Sequence, residues 1–326
     1  CYDPALVKRQ EREAIEQQAD PRRKPTPPAP CGVPSRVLDD SRDPDDPASG
    51  GVFCCGAFAK LDAAVVRTGA ALSVGLEPAP DYLPRGYEPS IEGYEGFLRG
   101  VIGATADIAA AFKFNLAFFE SLGSAGWAML ERVRAAIPAG VFVIADAKRG
   151  DIGTTAKHYA RALFDHLGAD AATVNPLMGR DSAEPFLAYG DKATYFLALT
   201  SNPGAADFLM RDGLYREIVE RVRVWGCEHR NAGIVVGATR GEQVAEVRAL
   251  AGEMAMLAPG VGAQGGDLKT TCAAARSDGS PGGGYLIHVT RGVLPGKDDT
   301  GDALEIVRRK AMDWRDRIAK AGGEAG

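Results

Sequence analysis

The sequence predicts a (β/α)₈ TIM barrel, and three observations favour this fold class. Between residue 53 and the C-terminus, apolar segments of strand length alternate with amphipathic helical segments, as they do in α/β proteins. Eight such apolar segments occur, which is the number of strands that closes this barrel. No Gly-rich dinucleotide fingerprint follows the first of them, "SVGLEPAP", so an open doubly wound sheet is the weaker alternative. We therefore expect residues 53–326 to form one barrel domain.

The predicted strands are short and rich in apolar or β-branched residues, which is typical of parallel strands buried on both faces. In chain order they are "AALSVGL" (70–76), "AAFKFNLAF" (110–118), "VFVIADAK" (141–148), "AATVNPL" (171–177), "TYFLALT" (194–200), "GIVVGAT" (233–239), "MAMLAPG" (254–260) and "YLIHVT" (285–290). Segments with helical spacing lie between them, for example "GWAMLERVRAAI", "TAKHYARALFDHL", "LYREIVERVRVWGCEH" and "GEQVAEVRALA".

Residues 1–52 have a different composition from the rest of the chain. A polar helix candidate gives way to a stretch rich in Pro and charge, and "DDSRDPDDPASGG" follows. These stretches contain almost nothing that a core can bury, so we expect a disordered N-terminal extension.

Composition excludes several classes of function. The formal net charge of −5 gives no electrostatic basis for binding nucleic acid, which usually needs a basic face. No apolar run reaches the length of a membrane span, about 18 residues, and the N-terminus lacks the apolar stretch of a secretory signal. The six cysteines show no metal-ligand spacing, and we expect reduced thiols in a cytoplasmic protein.

The stretch "VFVIADAKRGDIGTT" (141–155) ends an apolar run in a group of charges. Residues two apart on a strand point to the same side, so Asp146 and Lys148 share a face and Asp151 lies in the loop beyond. Polar residues also follow the other strands, where a barrel places its active site. These residues are Glu77, Lys113, Asn115, Asn175, Ser201, Gln264 and Arg291.

Two kinds of chemistry suit these residues. Lys113, Asp146 and Lys148 form an alternating charge array, and a lysine held between carboxylates keeps its charged form and can donate a proton. Gly-rich "VGAQGGD", with Gln264 and Arg291, suits a phosphate. Taken singly, an Asp-x-Lys pair is more often a surface ion pair, and a Gly-rich loop is more often only a turn.

Together these stretches resemble the orotidine 5′-phosphate decarboxylase family, specifically its longer bacterial subgroup, type 2. The Asp-x-Lys-x-x-Asp motif of the family stands here as Asp146, Lys148 and Asp151. That motif is shared with a wider superfamily of sugar-phosphate barrels, and its combination with other stretches is more specific. Those stretches are "FKFNLAFFE", "VNPLMGRDSAEPFL", "TSNPG" and "APGVGAQGGD". The similarity runs from about Gly56 to Ala321 and leaves out the extension.

The resemblance implies a carboxy-lyase that converts orotidine 5′-phosphate to UMP and CO₂ in pyrimidine biosynthesis, with no cofactor and no metal. It implies that Lys148 protonates C6 as CO₂ departs, and that Asp146 lies near the substrate carboxylate and holds Lys148. It further implies that Lys113 completes the array and binds a ribose hydroxyl.

The resemblance also implies a homodimer, in which Asp151 and Thr155 enter the active site of the neighbouring subunit and Asp151 joins Asp146 in stressing the substrate carboxylate. Ser201 matches the position that binds the pyrimidine, and Gln264 and Arg291 match the pair that grips the phosphate. One position departs from the family, because its first strand usually ends in an Asp that binds ribose. Glu77 stands here instead, and its extra methylene moves the carboxylate by about 1.5 Å, one carbon–carbon bond.

Two other functions stay open at this point. A metal-dependent sugar-phosphate enzyme of the same superfamily would need a set of metal-ligating carboxylates. A non-catalytic nucleotide-phosphate binding protein would have no use for two carboxylates beside an anionic substrate, so the combination of Lys113, Asp146, Lys148 and Asp151 argues against it.

Overall fold

Eight parallel strands close into a barrel in the computed structural model of the chain, which describes residues 56–238, 241–262, 266–296 and 299–323. Each strand pairs with the next along the chain, and the last pairs with the first. The strands are β1 (Leu72–Leu76), β2 (Ala111–Asn115), β3 (Phe142–Arg149), β4 (Ala171–Val174), β5 (Ala193–Leu199), β6 (Ala232–Val236), β7 (Ala255–Pro259) and β8 (Tyr285–Val289). The barrel prediction is confirmed. The predicted extension (residues 1–52) and Gln264 lie outside the described residues.

Helices follow the strands in alternation, and one further helix precedes β1. They are α1 (Ala59–Thr68), α2 (Ile91–Thr105), α3 (Leu116–Glu120), α4 (Gly123–Ala135), α5 (Gly153–Arg161), α6 (Arg180–Leu187), α7 (Leu214–Gly226), α8 (Gly241–Ala251), α9 (Leu268–Ala275) and α10 (Ala303–Gly323). Helix α5 continues as a π-helical turn over Ala162–His166. Lys60 of α1 pairs with Asp170, which immediately precedes β4 (2.6 Å), so α1 lies at the amino-terminal end of the barrel.

The strands are buried on both faces, as their apolar sequences predict. Large side chains such as Phe112, Phe142 and Phe196 are fully enclosed. The buried charged side chains of the described residues lie towards the carboxyl ends of the strands; they are Glu77, Lys113 and Asp146. Since charges are rarely buried without partners, this end of the barrel is where a site is expected.

One strand pair departs from regular register. Ala145 of β3 lies opposite Ala172 of β4, but Arg149 lies opposite Val174. Three residues of β3, from Asp146 to Lys148, therefore face a single residue of β4, Thr173. This is a bulge, and bulges often occur beside active sites, where they redirect a side chain.

None of the described helices is both long enough and apolar enough to cross a membrane. The prediction of reduced thiols is wrong for Cys227, which is disulfide-bonded. Cys272 of α9 is a free thiol and is fully buried.

Candidate active site

Asp146 is held between two lysines at the carboxyl end of the barrel. Lys113 Nζ donates to its Oδ2 (2.6 Å), and Lys148 Nζ donates to its Oδ1 (2.5 Å). The side chains of Lys113 and Asp146 are 5% and 9% exposed, whereas that of Lys148 is 49% exposed. Lys113 is thus a buried support, and Lys148 is the member of the array that solvent or a substrate can reach.

Strand register explains why these three groups meet. Asn115 at the end of β2 lies opposite Asp146 of β3, so Lys113 is two residues below it on the same strand. Side chains two apart point the same way, which carries Lys113 into the barrel beneath Asp146. The structure thus brings Lys113, Asp146 and Lys148 into contact, as the sequence predicts.

The two lysines determine the charge of Asp146. Burial by itself raises the pKa of this carboxyl group, but the positive charges of Lys113 and Lys148 and their hydrogen bonds outweigh burial. The pKa of Asp146 therefore lies well below its usual range. The group is an anion at neutral pH and is fixed in position before any substrate arrives, as electrostatic catalysis requires.

Thr173 of β4 contacts both residues of the Asp-x-Lys pair. Its Oγ1 accepts a hydrogen bond from the backbone N–H of Lys148 (2.9 Å) and donates one to Asp146 Oδ1 (2.9 Å). Lys148 itself has a positive φ of 50°, a conformation that few non-glycine residues adopt. Thr173 is not among the site residues predicted from sequence, although a polar residue inside the apolar strand "AATV" is a signal for it.

Glu77 occupies another part of the same charged region. It is 8% exposed, and its Oε1 accepts a hydrogen bond from Thr290 Oγ1 (3.4 Å). The Thr290 hydroxyl lies 3.2 Å from His288 Nε2, and His288 Nδ1 lies 3.2 Å from Ser73 Oγ. Gly75 leaves room for this chain of contacts, because a Cβ there would lie 2.0 Å from Thr290 Oγ1.

Burial and neighbouring charges fix the ionisation of this second group of residues. Burial raises the pKa of Glu77, and although Lys113 opposes this effect, the negative charge of Asp146 adds to it. Burial also lowers the pKa of His288 well below its usual value, and Lys113 and Lys148 shift it further in the same direction. His288, which the sequence left unassigned, is therefore a neutral imidazole.

The hydrogen-bond directions follow when Glu77 is ionised. A carboxylate only accepts, so the Thr290 hydroxyl donates to Glu77 and its oxygen accepts from His288 Nε2–H. His288 Nδ1 then accepts from the Ser73 hydroxyl. Ser73 and His288 thus support Thr290 from below, and Thr290 in turn supports the carboxylate of Glu77.

Among the described hydrogen bonds and ion pairs, none joins three of the predicted site residues to the charge array. Asp151 follows β3, and its Oδ1 accepts a hydrogen bond from the backbone N–H of Ile152 (2.8 Å). Thr155 is exposed on the first turn of α5, and Ser201 is half-buried just after β5. A side chain on Gly237 would collide with the Ser201 backbone (2.7 Å), so the end of β6 holds that loop closely.

Arg291 follows β8 and is exposed. Among the described parts of the chain, its guanidinium has no ion pair and no hydrogen bond. Its predicted companion, Gln264, lies outside them. Gly266 packs closely against the residue that ends the first part of the β6–α8 connection, since a Cβ on Gly266 would lie 2.6 Å from the carbonyl oxygen of Ala238. Within the described ranges, no group of three or more His, Cys, Asp or Glu side chains is placed to hold a metal ion.

The arrangement offers buried anions and cations in alternation, one half-exposed ammonium group, and a guanidinium at the rim with no partner among the described residues. Such a site can bind an anionic small molecule, place a negative charge beside it, and deliver a proton from Lys148. These are the elements of proton transfer assisted by fixed charges.

The chain is similar to proteins of one enzyme family. The family described as orotidine 5′-phosphate decarboxylase / HUMPS matches residues 95–306. The orotidine 5′-phosphate decarboxylase of Roseiflexus castenholzii is 42% identical over 269 residues, covering 81% of this chain and 97% of that protein. That of Ralstonia pickettii is 42% identical over 266 residues, covering 79% and 96%. Among solved structures, the OMP decarboxylase of Leishmania donovani is 38% identical, with a TM-score of 0.70 over 82% of this chain and 99% of that one.

Proposed function

The chain belongs to the orotidine 5′-phosphate decarboxylase family, and from that premise we propose how its own residues carry out the reaction. The protein is a carboxy-lyase that converts orotidine 5′-phosphate to UMP and CO₂ in pyrimidine biosynthesis. The observation that carries the proposal is the Lys113–Asp146–Lys148 array, in which a buried anion is fixed beside an accessible ammonium group.

In the proposed step, the bond between C6 of the pyrimidine and its carboxylate breaks, and the electron pair stays on C6. Lys148 Nζ–H donates its proton to C6, so that CO₂ and UMP are formed, and water returns a proton to the amine. Lys148 is suited to this role because its ammonium group is held by Asp146 while its side chain is still half exposed. Proton donation then needs no large movement.

Asp146 is proposed to lie beside the substrate carboxylate. Two like charges about 4 Å apart repel by roughly 4 kcal/mol at an effective dielectric constant of about 20, and the repulsion disappears when neutral CO₂ forms. Lys113 and Thr173 prevent Asp146 from turning away. This interaction supplies a part of the roughly 8–23 kcal/mol by which enzymes lower barriers, and binding energy from the rest of the substrate supplies more.

The remaining roles follow from the family resemblance and from the position of each residue. We assign Lys113 and Glu77 to the ribose, Ser201 to the pyrimidine, and Gln264 with Arg291 to the phosphate. The free guanidinium of Arg291 supports its role, since a bidentate fork without a protein partner is available to a phosphate. The hydrogen bond from Thr290 holds the longer carboxylate of Glu77 in place, which supports its proposed role in binding the ribose.

We further propose a cytoplasmic homodimer in which Asp151 and Thr155 complete the site of the partner subunit. Two features support a dimer. Asp151 belongs to the Asp-x-Lys-x-x-Asp motif, yet none of its described hydrogen bonds or ion pairs is to the charge array of its own chain. The loops after β3, β4 and β5 also expose large apolar side chains at the same end of the barrel, and exposed apolar patches often mark interfaces. These are Ile152, Leu177, Met178 and Phe208.

The test is the loss of ultraviolet absorbance when purified protein acts on orotidine 5′-phosphate in the presence of EDTA, with Lys148→Ala as the control. The proposal expects turnover by the wild type, no turnover by Lys148→Ala, and UMP binding by both. Activity lost in EDTA and restored by Mg²⁺ would favour the metal-dependent alternative. Binding of UMP without turnover by the wild type would favour a binding protein.

A further inference from the structure

We propose that Thr173 is a positioning residue for the reacting lysine: its one hydroxyl group holds the backbone of Lys148 and the carboxylate of Asp146 in a fixed relation. The effect expected on turnover rests on the function proposed above. The effect expected on the Lys148 backbone rests on the geometry alone.

The bulge between β3 and β4 creates the need for such a residue. In a regular parallel pair, the backbone amide of each alternate residue would bond to the neighbouring strand. Here Asp146, Ala147 and Lys148 face only Thr173, and the ladder cannot satisfy the Lys148 amide. The Thr173 hydroxyl accepts its hydrogen bond instead (2.9 Å). Pairing through the backbone resumes beyond the bulge, where the Asn175 N–H donates to the carbonyl of Arg149 (2.7 Å).

The conformation of Lys148 makes this hydrogen bond important. Its φ of 50° lies in the left-handed region, which side chains disfavour and which persists only where the surroundings enforce it. A bulge places the residue there, and the hydroxyl of Thr173 anchors the amide on its amino side. Without that anchor, the backbone of Lys148 is free to return to an ordinary conformation, and its side chain would then point elsewhere.

The same hydroxyl also fixes Asp146, which closes a ring of contacts. The Lys148 amide donates to Thr173 Oγ1, the Thr173 hydroxyl donates to Asp146 Oδ1 (2.9 Å), and Lys148 Nζ donates to that same oxygen (2.5 Å). Because the carboxylate can only accept and the amide can only donate, the direction of each hydrogen bond is determined. Thr173 is 1% exposed, so water cannot take its place.

The experiment compares Thr173→Val with Thr173→Ser and with Thr194→Val. Valine keeps the shape of threonine and removes both hydrogen bonds, whereas serine keeps the hydroxyl. Thr194 of β5 is a matched control, because it is also a buried barrel threonine and its hydroxyl has no partner in the described part of the chain. The measurements are kcat and KM for orotidine 5′-phosphate, and hydrogen exchange of the Lys148 amide in the substrate-free protein.

We expect Thr173→Val to lower kcat about 100-fold, the size of effect that a misplacement of about 1 Å can cause, with a much smaller change in KM. We expect faster exchange at the Lys148 amide in this variant, near-normal behaviour in Thr173→Ser, and no change in Thr194→Val. Equal losses in Thr173→Val and Thr194→Val, or unchanged kcat and exchange in Thr173→Val, would overturn the proposal. If the wild type does not turn over orotidine 5′-phosphate, the decarboxylase assignment fails, and amide exchange alone decides the role of Thr173.

Discussion

The carboxyl groups of Glu77 and Asp146 are both buried in one charged region, but their partners differ. Asp146 accepts hydrogen bonds from two ammonium groups, whereas Glu77 has only the Thr290 hydroxyl among its described hydrogen-bond partners. The pKa of Asp146 is consequently lowered and that of Glu77 is raised. Two carboxyl groups with pKa values moved in opposite directions can serve different roles in one reaction.

The raised pKa of Glu77 predicts an acid limb in the pH profile of kcat/KM. In the proposed role, the ionised carboxylate of Glu77 accepts a stronger hydrogen bond from ribose than the protonated group does, so activity is expected to fall as the pH drops through its raised pKa. Glu77→Gln should lack this limb and should have a lower kcat/KM at neutral pH. The substrate phosphate also titrates, with a pKa of about 6, but it does so for both enzymes, and the difference between the two profiles isolates Glu77. Identical profiles would show that Glu77 does not titrate in this range.

The support of Glu77 by Thr290 predicts an effect on substrate binding. Thr290→Val removes the hydroxyl that contacts both the carboxylate and His288. A single hydrogen bond contributes about 1 kcal/mol net, so we expect KM to rise roughly fivefold with little change in kcat. Thr290→Ser is the matched variant and should stay near the wild type. A fall in kcat at constant KM would instead connect Thr290 to the chemical step.

The lowered pKa of Asp146 predicts how stability depends on pH. The folded-state pKa lies below the unfolded value of about 3.9, so the ionised group stabilises the fold above that value. This contribution is lost as the pH falls below about 4 towards the folded pKa. Urea unfolding at several pH values should show a steeper acid loss in the wild type than in Asp146→Asn.

Asp146→Asn should also be less stable at neutral pH, because it leaves the buried ammonium of Lys113 without its anion. Removing one partner of a buried ion pair typically costs about 3–5 kcal/mol, and the half-exposed Lys148 adds little to this cost. Equal stability of the two proteins at neutral pH would contradict the view that the pair is intact in the substrate-free protein.

Much of the barrel could be predicted from sequence because each strand is a short apolar run that ends in a polar residue. Every predicted strand is present, although several end earlier than predicted. The segment 110–118 was too long because Leu116 begins a helix after β2, and the apolar residues of that helix continue the pattern of the strand. Lys113, Asp146 and Lys148 could be grouped because strand ends converge on one face of a barrel.

Other features could not be predicted from one chain read in order. The bulge at Asp146 depends on the register between β3 and β4, and the alternation of side chains along β3 does not reveal it. Thr173 and Thr290 act through hydrogen bonds to residues of other strands, and the local sequence around each does not show which residues those are. The role of Asp151 is also beyond prediction from its own stretch of sequence, because the loop that carries it does not determine which active site it enters.

A shared site between subunits predicts complementation between two inactive variants. Lys148→Ala lacks the proton donor that we propose, and Asp151→Ala lacks the carboxylate that we assign to the partner's site, so each homodimer should be nearly inactive. In a mixed dimer, one site combines the intact Lys148 of one chain with the intact Asp151 of the other, and the second site lacks both. Random pairing makes half of the dimers mixed, so about one quarter of wild-type activity is expected from the symmetry of a two-fold dimer. Co-expression with two affinity tags isolates the mixed dimers, which have one intact site of two and should therefore show about one half of wild-type activity. Activity no higher than that of the parents would place Asp151 in the site of its own chain or outside the chemistry altogether.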